Sequence, residues 1–189
     1  MNFEKKLEEK YGEWIDDVFY KKQCKISSIS ERTYLNVLFN TIDLHYYDAV
    51  EKILGWNMCD DLKRLYSKYN GLMLFCQSFR IFGINLYAGD YKTLDLLVEN
   101  NRIEVKSNGK FNDYVTFGYY AEYSFFYNKR DNHSIIYVYS RNTYEFIRKF
   151  DNLDQLFDYY VPALMKEYDS DGLALDKKNS FYNTLLKMI

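Results

Sequence analysis

Histidine and cysteine, on which most metal sites and many catalytic sites depend, are scarce in this sequence. There are two histidines, His45 and His133, and three widely spaced cysteines, Cys24, Cys59 and Cys76. An odd number of distant cysteines suggests neither a disulfide framework nor a zinc knuckle. No HExxH motif, Walker loop, Gly-x-Ser-x-Gly elbow or Gly-x-Gly-x-x-Gly motif is present. We therefore expect no catalytic residues, no metal, no cofactor and a reducing, cytoplasmic environment.

The sequence also lacks an excess of one charge and a long apolar run. Lys and Arg number 25 against 27 Asp and Glu, a net charge of −2. This balance provides no basic footprint for nucleic acid or for an anionic membrane. The run GLMLFC at 71–76 is far shorter than the roughly 20 residues of a membrane span. The first 17 residues contain no apolar segment typical of a secretory signal. We expect neither a nucleic-acid nor a membrane partner.

Linker-like segments are absent as well, and the sequence has one proline and eight glycines. Residues 1–189 are therefore predicted to form a single domain, long enough to bury its own core. Aromatic residues make up 20 % of the chain, with 21 Tyr and 14 Phe. Tyr serves cores and interfaces alike, and a Tyr-rich core is the simpler interpretation.

Three partial motifs for ligand binding are incomplete. His45 and Asp48 have i,i+3 spacing on a predicted helix, but no third metal ligand accompanies them. An acidic loop resembles the start of an EF-hand, with Glu167, Asp169, Asp171 and then Gly172. The position of the bidentate carboxylate is occupied by Lys178, which argues against calcium. The aromatic segment 117–127 lacks the basic residues of an RNA-binding sheet.

Apolar spacing predicts helices in the first part of the chain. They cover 3–22, 34–42 with Ser30 as a candidate N-cap, 44–54 between Asp43 and Gly55, and 60–69 capped by Asp60 and stopped by Asn70-Gly71.

The later part of the chain predicts strands followed by helices. Strands are expected at 72–75 and 79–82, a helix at 90–100, and an antiparallel meander over 114–117, 121–128, 134–140 and 143–149. A helix capped by Asp151 follows, with a kink or break near Tyr160 caused by Pro162. A polar loop then leads to a Ser180-capped helix. This order predicts an α+β fold, with a central antiparallel sheet and helices at both ends.

The middle of the chain resembles the SUKH superfamily. The run AVEKILGWNMCDDLKRLYSKYNGLMLF (49–75) is similar to the family's two helices, of which the second ends in Tyr-x-x-Tyr-Asn-Gly before a strand. FRIFGI (79–84), VTFGYY (115–120) and 134–157 are similar to its later strands and closing helix. The matching motif residues are Tyr69, Asn70, Gly71, Phe82, Gly83, Phe117 and Gly118. The family's Leu-Pro before the second helix is missing here.

The resemblance implies a SUKH-like core over 45–168, flanked by extra N-terminal helices in 1–44 and a C-terminal tail with a short helix in 169–189. It also implies an immunity protein that binds and neutralises a cognate toxin, in many cases a nuclease. The alternatives are a regulatory scaffold, like the yeast cell-wall regulators of the family, or an unrecognised enzyme using a histidine or a cysteine. The residues themselves favour structural roles for the motif glycines, because Gly serves backbone geometry. They do not mark a binding surface.

Overall fold

Helices and antiparallel strands make up the computed structural model of the chain, which describes residues 2–25, 34–43, 45–84, 95–131 and 134–175. Its helices are α1 (Phe3–Tyr11), α2 (His45–Leu54), α3 (Asp60–Tyr66), α4 (Leu96–Lys106) and α5 (Leu153–Met165). Its strands are β1 (Ile15–Asp16), β2 (Tyr20–Lys25), β3 (Tyr34–Asn40), β4 (Tyr69–Leu74), β5 (Phe79–Ile81), β6 (Tyr114–Tyr120), β7 (Tyr123–Asn128), β8 (Ile136–Ser140) and β9 (Phe146–Phe150). The predicted α+β class is confirmed.

The nine strands of the described residues form one antiparallel sheet whose strand order is the order of the sequence. Each strand therefore pairs with its neighbours along the chain. The β6–β7 hairpin, for example, runs from Tyr114 opposite Asn128 to Tyr120 opposite Tyr123. Aromatic and β-branched side chains dominate these strands, because they pack well on a pleated surface. The meander predicted after residue 114 is confirmed.

One face of the sheet carries the main core, on which α1 and α5 pack. Phe157 of α5 stacks on Phe3 of α1 with ring centroids 4.5 Å apart. The same ring lies 5.5 Å from Phe79 of β5. Phe125 of β7 lies 5.5 Å from Tyr160 of α5. Aromatic contacts thus join the two terminal helices to the middle of the sheet.

The other face of the sheet is covered in part by α4 and the segment after it. Phe111 stacks on Phe126 of β7 at 4.5 Å, and Phe126 points away from Phe125 because successive strand residues alternate. Asn100 of α4 donates from Nδ2 to the Thr116 carbonyl (2.8 Å) and accepts from the Thr116 amide (2.9 Å). These two bonds fix α4 against β6.

The helix predicted over 3–22 is wrong beyond Tyr11. Gly12 follows α1 with φ +85°, a conformation that glycine adopts at little cost. The chain then turns into β1 and β2. Leu7 in α1 is buried, whereas Val18 and Phe19 are exposed, so the apolar spacing did not mark one helical face.

The helix predicted over 34–42 is strand β3. Leu38 belongs to the main core, while Val37 and Phe39 form a smaller cluster with Met73. A strand buried on both faces has a continuous apolar run, which spacing alone does not distinguish from a buried helix. The prediction of extra N-terminal helices in 1–44 is corrected accordingly: the described part of that segment holds one helix and three strands. Ser30 lies outside the described residues.

The helix predicted over 44–54 is confirmed as α2. The Asp43 carboxylate accepts from the His45 amide at 3.0 Å, and Gly55 follows the helix with φ +60°. The next helix, α3, has Cys59 at its N-cap and ends at Tyr66. Asn70 and Gly71 consequently lie in β4 and do not stop a helix.

The later helices begin at other residues than predicted. α4 starts after Asp95, whose carboxylate accepts from two amides of the first turn, so the helix predicted at 90–100 lies further along the chain. α5 starts after Asn152 instead of Asp151, and it continues through Pro162 without a break near Tyr160. Pro162 lies in the last turn, where it removes a single helical hydrogen bond.

The remaining predictions concern the termini and the membrane. The polar loop predicted over 169–179 is described as far as residue 175, and the Ser180-capped helix lies outside the described residues. No helix in the described part of the chain is long and apolar enough to cross a bilayer.

Replacing Phe157 by Ala tests the packing of the terminal helices. Phe157 is buried and contacts both α1 and β5, so the substitution leaves a cavity. We expect the free energy of unfolding, measured by urea denaturation, to fall by about 3–5 kcal/mol. The control Ile53→Ala truncates an exposed side chain on α2 and should cost less than about 0.5 kcal/mol. Equal losses in the two variants would contradict this packing.

Candidate functional site

Asn70, one of the motif residues that carry the SUKH resemblance, has a side chain held by hydrogen bonds within the protein. This side chain is 3 % exposed. Its Oδ1 accepts from the Tyr47 hydroxyl at 2.6 Å and from the Ile84 amide at 2.7 Å. Its Nδ2 donates to the Ile84 carbonyl at 2.7 Å. Asn70 therefore binds the backbone after β5 much as a neighbouring strand would, and its amide oxygen is occupied within the protein.

The motif glycines lie where backbones approach closely. A Cβ on Gly83 would overlap the Asn70 carbonyl oxygen, and a Cβ on Gly118 would overlap the Arg80 carbonyl oxygen. Contacts of this kind are too close for any side chain, which explains glycine at both positions. The Gly83 carbonyl also accepts from the Leu96 amide at 2.8 Å, at the start of α4.

The motif aromatic residues are buried and bonded within the same region. The Phe82 amide donates to the Phe117 carbonyl at 2.8 Å, and the Phe82 carbonyl accepts from the Tyr66 hydroxyl at 2.8 Å. Tyr69 donates from its hydroxyl to Oε2 of Glu4 at 2.6 Å, which ties β4 to α1. The structure thus brings the predicted motif residues together, and their hydrogen bonds are made with one another and with the surrounding fold.

The three cysteine thiols have surroundings that disfavour a nucleophile. Burial raises the pKa of the Cys76 thiol to about 12, and burial also raises the pKa of Cys24 and Cys59. A reactive cysteine needs the opposite shift, toward the thiolate. The cysteines therefore do not support the alternative of a thiol enzyme.

The candidate metal ligands do not converge in the described residues. His45 is exposed and places Nδ1 2.9 Å from Asp43, rather than pairing with Asp48. The Asp169 carboxylate accepts from the amides of Asp171 and Leu173, at 3.0 and 2.8 Å. No group of three His, Cys, Asp or Glu side chains that could hold a metal occurs in the part of the chain described. His133 and Lys178 lie outside it.

The aromatic residues of 117–127 do not form an open stacking platform. Phe117, Phe125 and Tyr127 lie in the main core. Phe126 points to the other face, where Phe111 covers it. Both sides of the β6–β7 hairpin are thus in contact with the protein itself at these positions.

An exposed apolar surface, absent from the sequence predictions, lies at the end of the sheet. Phe146 and Ile147 of β9 are 54 % and 42 % exposed, and Tyr159 of α5 is 47 % exposed. The Arg148 guanidinium lies over the Tyr159 ring at 4.4 Å. Phe146 instead contacts Tyr139 on the α4 face of the sheet, with ring centroids 5.7 Å apart. These four residues thus border the β9 edge on both faces of the sheet, and we call them the β9 patch. Phe146, Ile147 and Arg148 are consecutive in the sequence, and Tyr159 comes from a different element, so no local spacing signal marks them as one exposed group.

Replacing Asn70 by Ala tests the structural role of the motif. The substitution leaves the Tyr47 hydroxyl and both backbone groups of Ile84 without their partner. Because each unpaired buried group is costly, we expect the free energy of unfolding to fall by at least about 2 kcal/mol in urea denaturation. The control is Asn101→Ala, at an exposed position of α4. A stable Asn70→Ala protein would contradict the structural role.

Thiol reactivity tests whether a cysteine is activated. Since thiolate falls about tenfold for each unit by which the pKa exceeds the pH, the folded protein should react slowly with Ellman's reagent at pH 7.4. The rate should rise as the pH rises toward the elevated pKa values. The same protein in urea provides the control. A thiol that reacts faster in the folded protein than in urea would restore the enzyme hypothesis.

Comparison with known proteins adds no family to this description. No protein-family model matches the chain, and no curated protein matches it. The SUKH resemblance accordingly remains a prediction based on residues 45–168.

Proposed function

We propose that this chain is a non-enzymatic protein-binding module that binds and neutralises a cognate toxin, with nucleases as the first class to test. The SUKH-like motif order motivates the immunity role. The β9 patch is the observation that carries the proposal of protein binding. Exposed Phe, Tyr and Arg side chains are enriched in protein interfaces, where they act as anchors.

The β9 patch combines an apolar surface with a sheet edge. β9 is the last strand of the described sheet and pairs with β8 alone. The edge of such a strand offers backbone donors and acceptors to a partner strand. Phe146, Ile147 and Tyr159 would supply apolar contacts beside that edge. A partner could therefore combine backbone pairing with side-chain anchors.

The charge of this surface indicates the character of the partner. Arg148 and Lys149 follow Ile147 directly, so β9 itself carries two basic residues and no acidic one. Basic residues on an edge strand disfavour pairing between copies of the same chain. They favour a partner surface that carries carboxylates around an apolar centre. We infer that the toxin contact surface has this composition.

Coexpression with the toxin-domain protein encoded by the neighbouring gene tests the proposal. We expect one stoichiometric complex and rescue of growth. Ile147→Asp replaces an exposed apolar residue of the β9 patch by a charge, so Kd should rise by about 30-fold or more, as expected for an interface hot spot. Val105→Asp changes an exposed apolar residue on α4 and is the matched control.

The possible outcomes test the immunity role and the β9 patch separately. No complex and no rescue with any neighbouring product would refute the immunity role. Rescue that is equally insensitive to both substitutions would refute the β9 patch alone. A pull-down that returns several endogenous partners, instead of one, would favour the regulatory scaffold.

A further inference from the structure

A cavity of about 340 Å³ opens between α4 and the turns at one end of β6, β7 and β8. Its basic lining residues are Arg102 and Lys106 of α4 and Arg141 of the turn after β8. Ser124 of β7 and Ser140 of β8 add hydroxyl groups to the lining. The volume lies within the range typical of small-molecule sites, about 300–1,000 Å³.

The cations of this cavity exceed its carboxylates. Arg102 is paired with Glu99, which is 2 % exposed, through a 2.7 Å contact between Nη1 and Oε1. Within the described residues, neither Lys106 nor Arg141 forms an ion pair. Glu122, which also lines the cavity, accepts a hydrogen bond from the Asn142 side chain at 3.3 Å. With Arg102 paired, Lys106 and Arg141 outnumber the lining carboxylate Glu122, so the lining keeps a net positive charge in a protein whose net charge is −2.

A further arginine lies beside the cavity. The guanidinium of Arg141 lies 4.5 Å from the centre of the Tyr119 ring, and that of Arg80 lies 5.9 Å from the same centre. Burial lowers the pKa of Arg80, and the positive charge of Arg141 acts in the same direction. Nε of Arg80 is buried without a hydrogen-bond partner in the described residues. The Glu99 carboxylate opposes this shift in the pKa of Arg80, and an anion bound in the cavity would act in the same direction as Glu99.

We propose that this cavity binds a small organic phosphate monoester. This net positive charge is opposite in sign to that of a phosphate monoester, which is about −1.5 to −2 at neutral pH. The Arg141 guanidinium can donate two parallel hydrogen bonds to phosphate oxygens, and Lys106 adds a point charge. The cavity is several times larger than a phosphate group, and Ile103, Phe126 and Tyr144 also line it. They would contact the organic part of the ligand.

Titration calorimetry of the full chain with ribose 5-phosphate tests the proposal, with inorganic phosphate, ribose and succinate as comparison ligands at equal ionic strength. We expect saturable binding of ribose 5-phosphate with Kd below about 1 mM, weaker binding of phosphate, and none of ribose or succinate. Arg141→Gln and Lys106→Gln should each weaken binding about tenfold or more, the loss of one charge-assisted contact. Lys52→Gln, which removes a lysine of α2 outside the cavity, should change Kd less than twofold.

The controls distinguish specific binding in the cavity from nonspecific electrostatic attraction of an anion. No saturable binding of ribose 5-phosphate, or losses of equal size in Lys52→Gln and Arg141→Gln, would overturn the proposal. Binding of succinate as strongly as ribose 5-phosphate would also overturn it, because the site would then not distinguish phosphate. Thermal unfolding of each variant confirms that it is folded. Because Lys106 is more exposed than Arg141, Lys106→Gln tests the site at the position where a substitution disturbs the fold less. The test is independent of toxin binding.

Discussion

The hydrogen bonds between the Asn70 side chain and the backbone of Ile84 are the constraint on which the rest of the structure depends. They join β4 to the segment that leaves β5, although β4 and this segment are not paired strands there. The backbone at position 83 lies so close to Asn70 that only glycine fits there. The Gly83 carbonyl in turn accepts a hydrogen bond from the amide of Leu96, the first residue of α4. Tyr47 connects the same amide to α2. A single buried side chain thus determines how two helices meet the sheet, and an amide is needed because it donates and accepts at once.

This arrangement explains why the most recognisable residues of the sequence do not identify a ligand. The polar atoms of the motif are bonded within the protein, and its glycines are required by close backbone contacts. Function is therefore assigned to surfaces that lie away from the motif. The β9 patch is formed where the sheet ends, and the basic cavity is formed where α4 meets the turns of the β6–β8 region. The first carries exposed apolar side chains and suits a protein, while the second is a small, open cavity with a net positive lining and suits an anion.

The sequence predicted the parts of the fold that local signals determine. α2 has an acidic residue before it and a glycine after it, and the strands from Tyr114 onward are separated by turn residues. β3 was missed because both of its faces are buried, which removes the alternation that marks a strand. Gly71 does have a positive φ, +84°, as a helix stop would, but Asn70 is committed to a partner 14 residues away. Contacts between residues this far apart in the sequence do not alter the spacing of apolar residues, so spacing could not predict them. The cavity was missed for a related reason, since Arg102, Lys106 and Arg141 are separated in a sequence of balanced charge.

Amide hydrogen exchange at Ile84, followed by NMR, tests most directly the claim that the motif residues hold the fold together. Ile84 lies outside the strands, and among the described residues the Asn70 side chain is the one partner of its amide. If Asn70 is the constraint described here, this amide exchanges as slowly as those in the middle of β4, because both open only when the sheet unfolds. Exchange at the rate of an unstructured peptide would contradict the account.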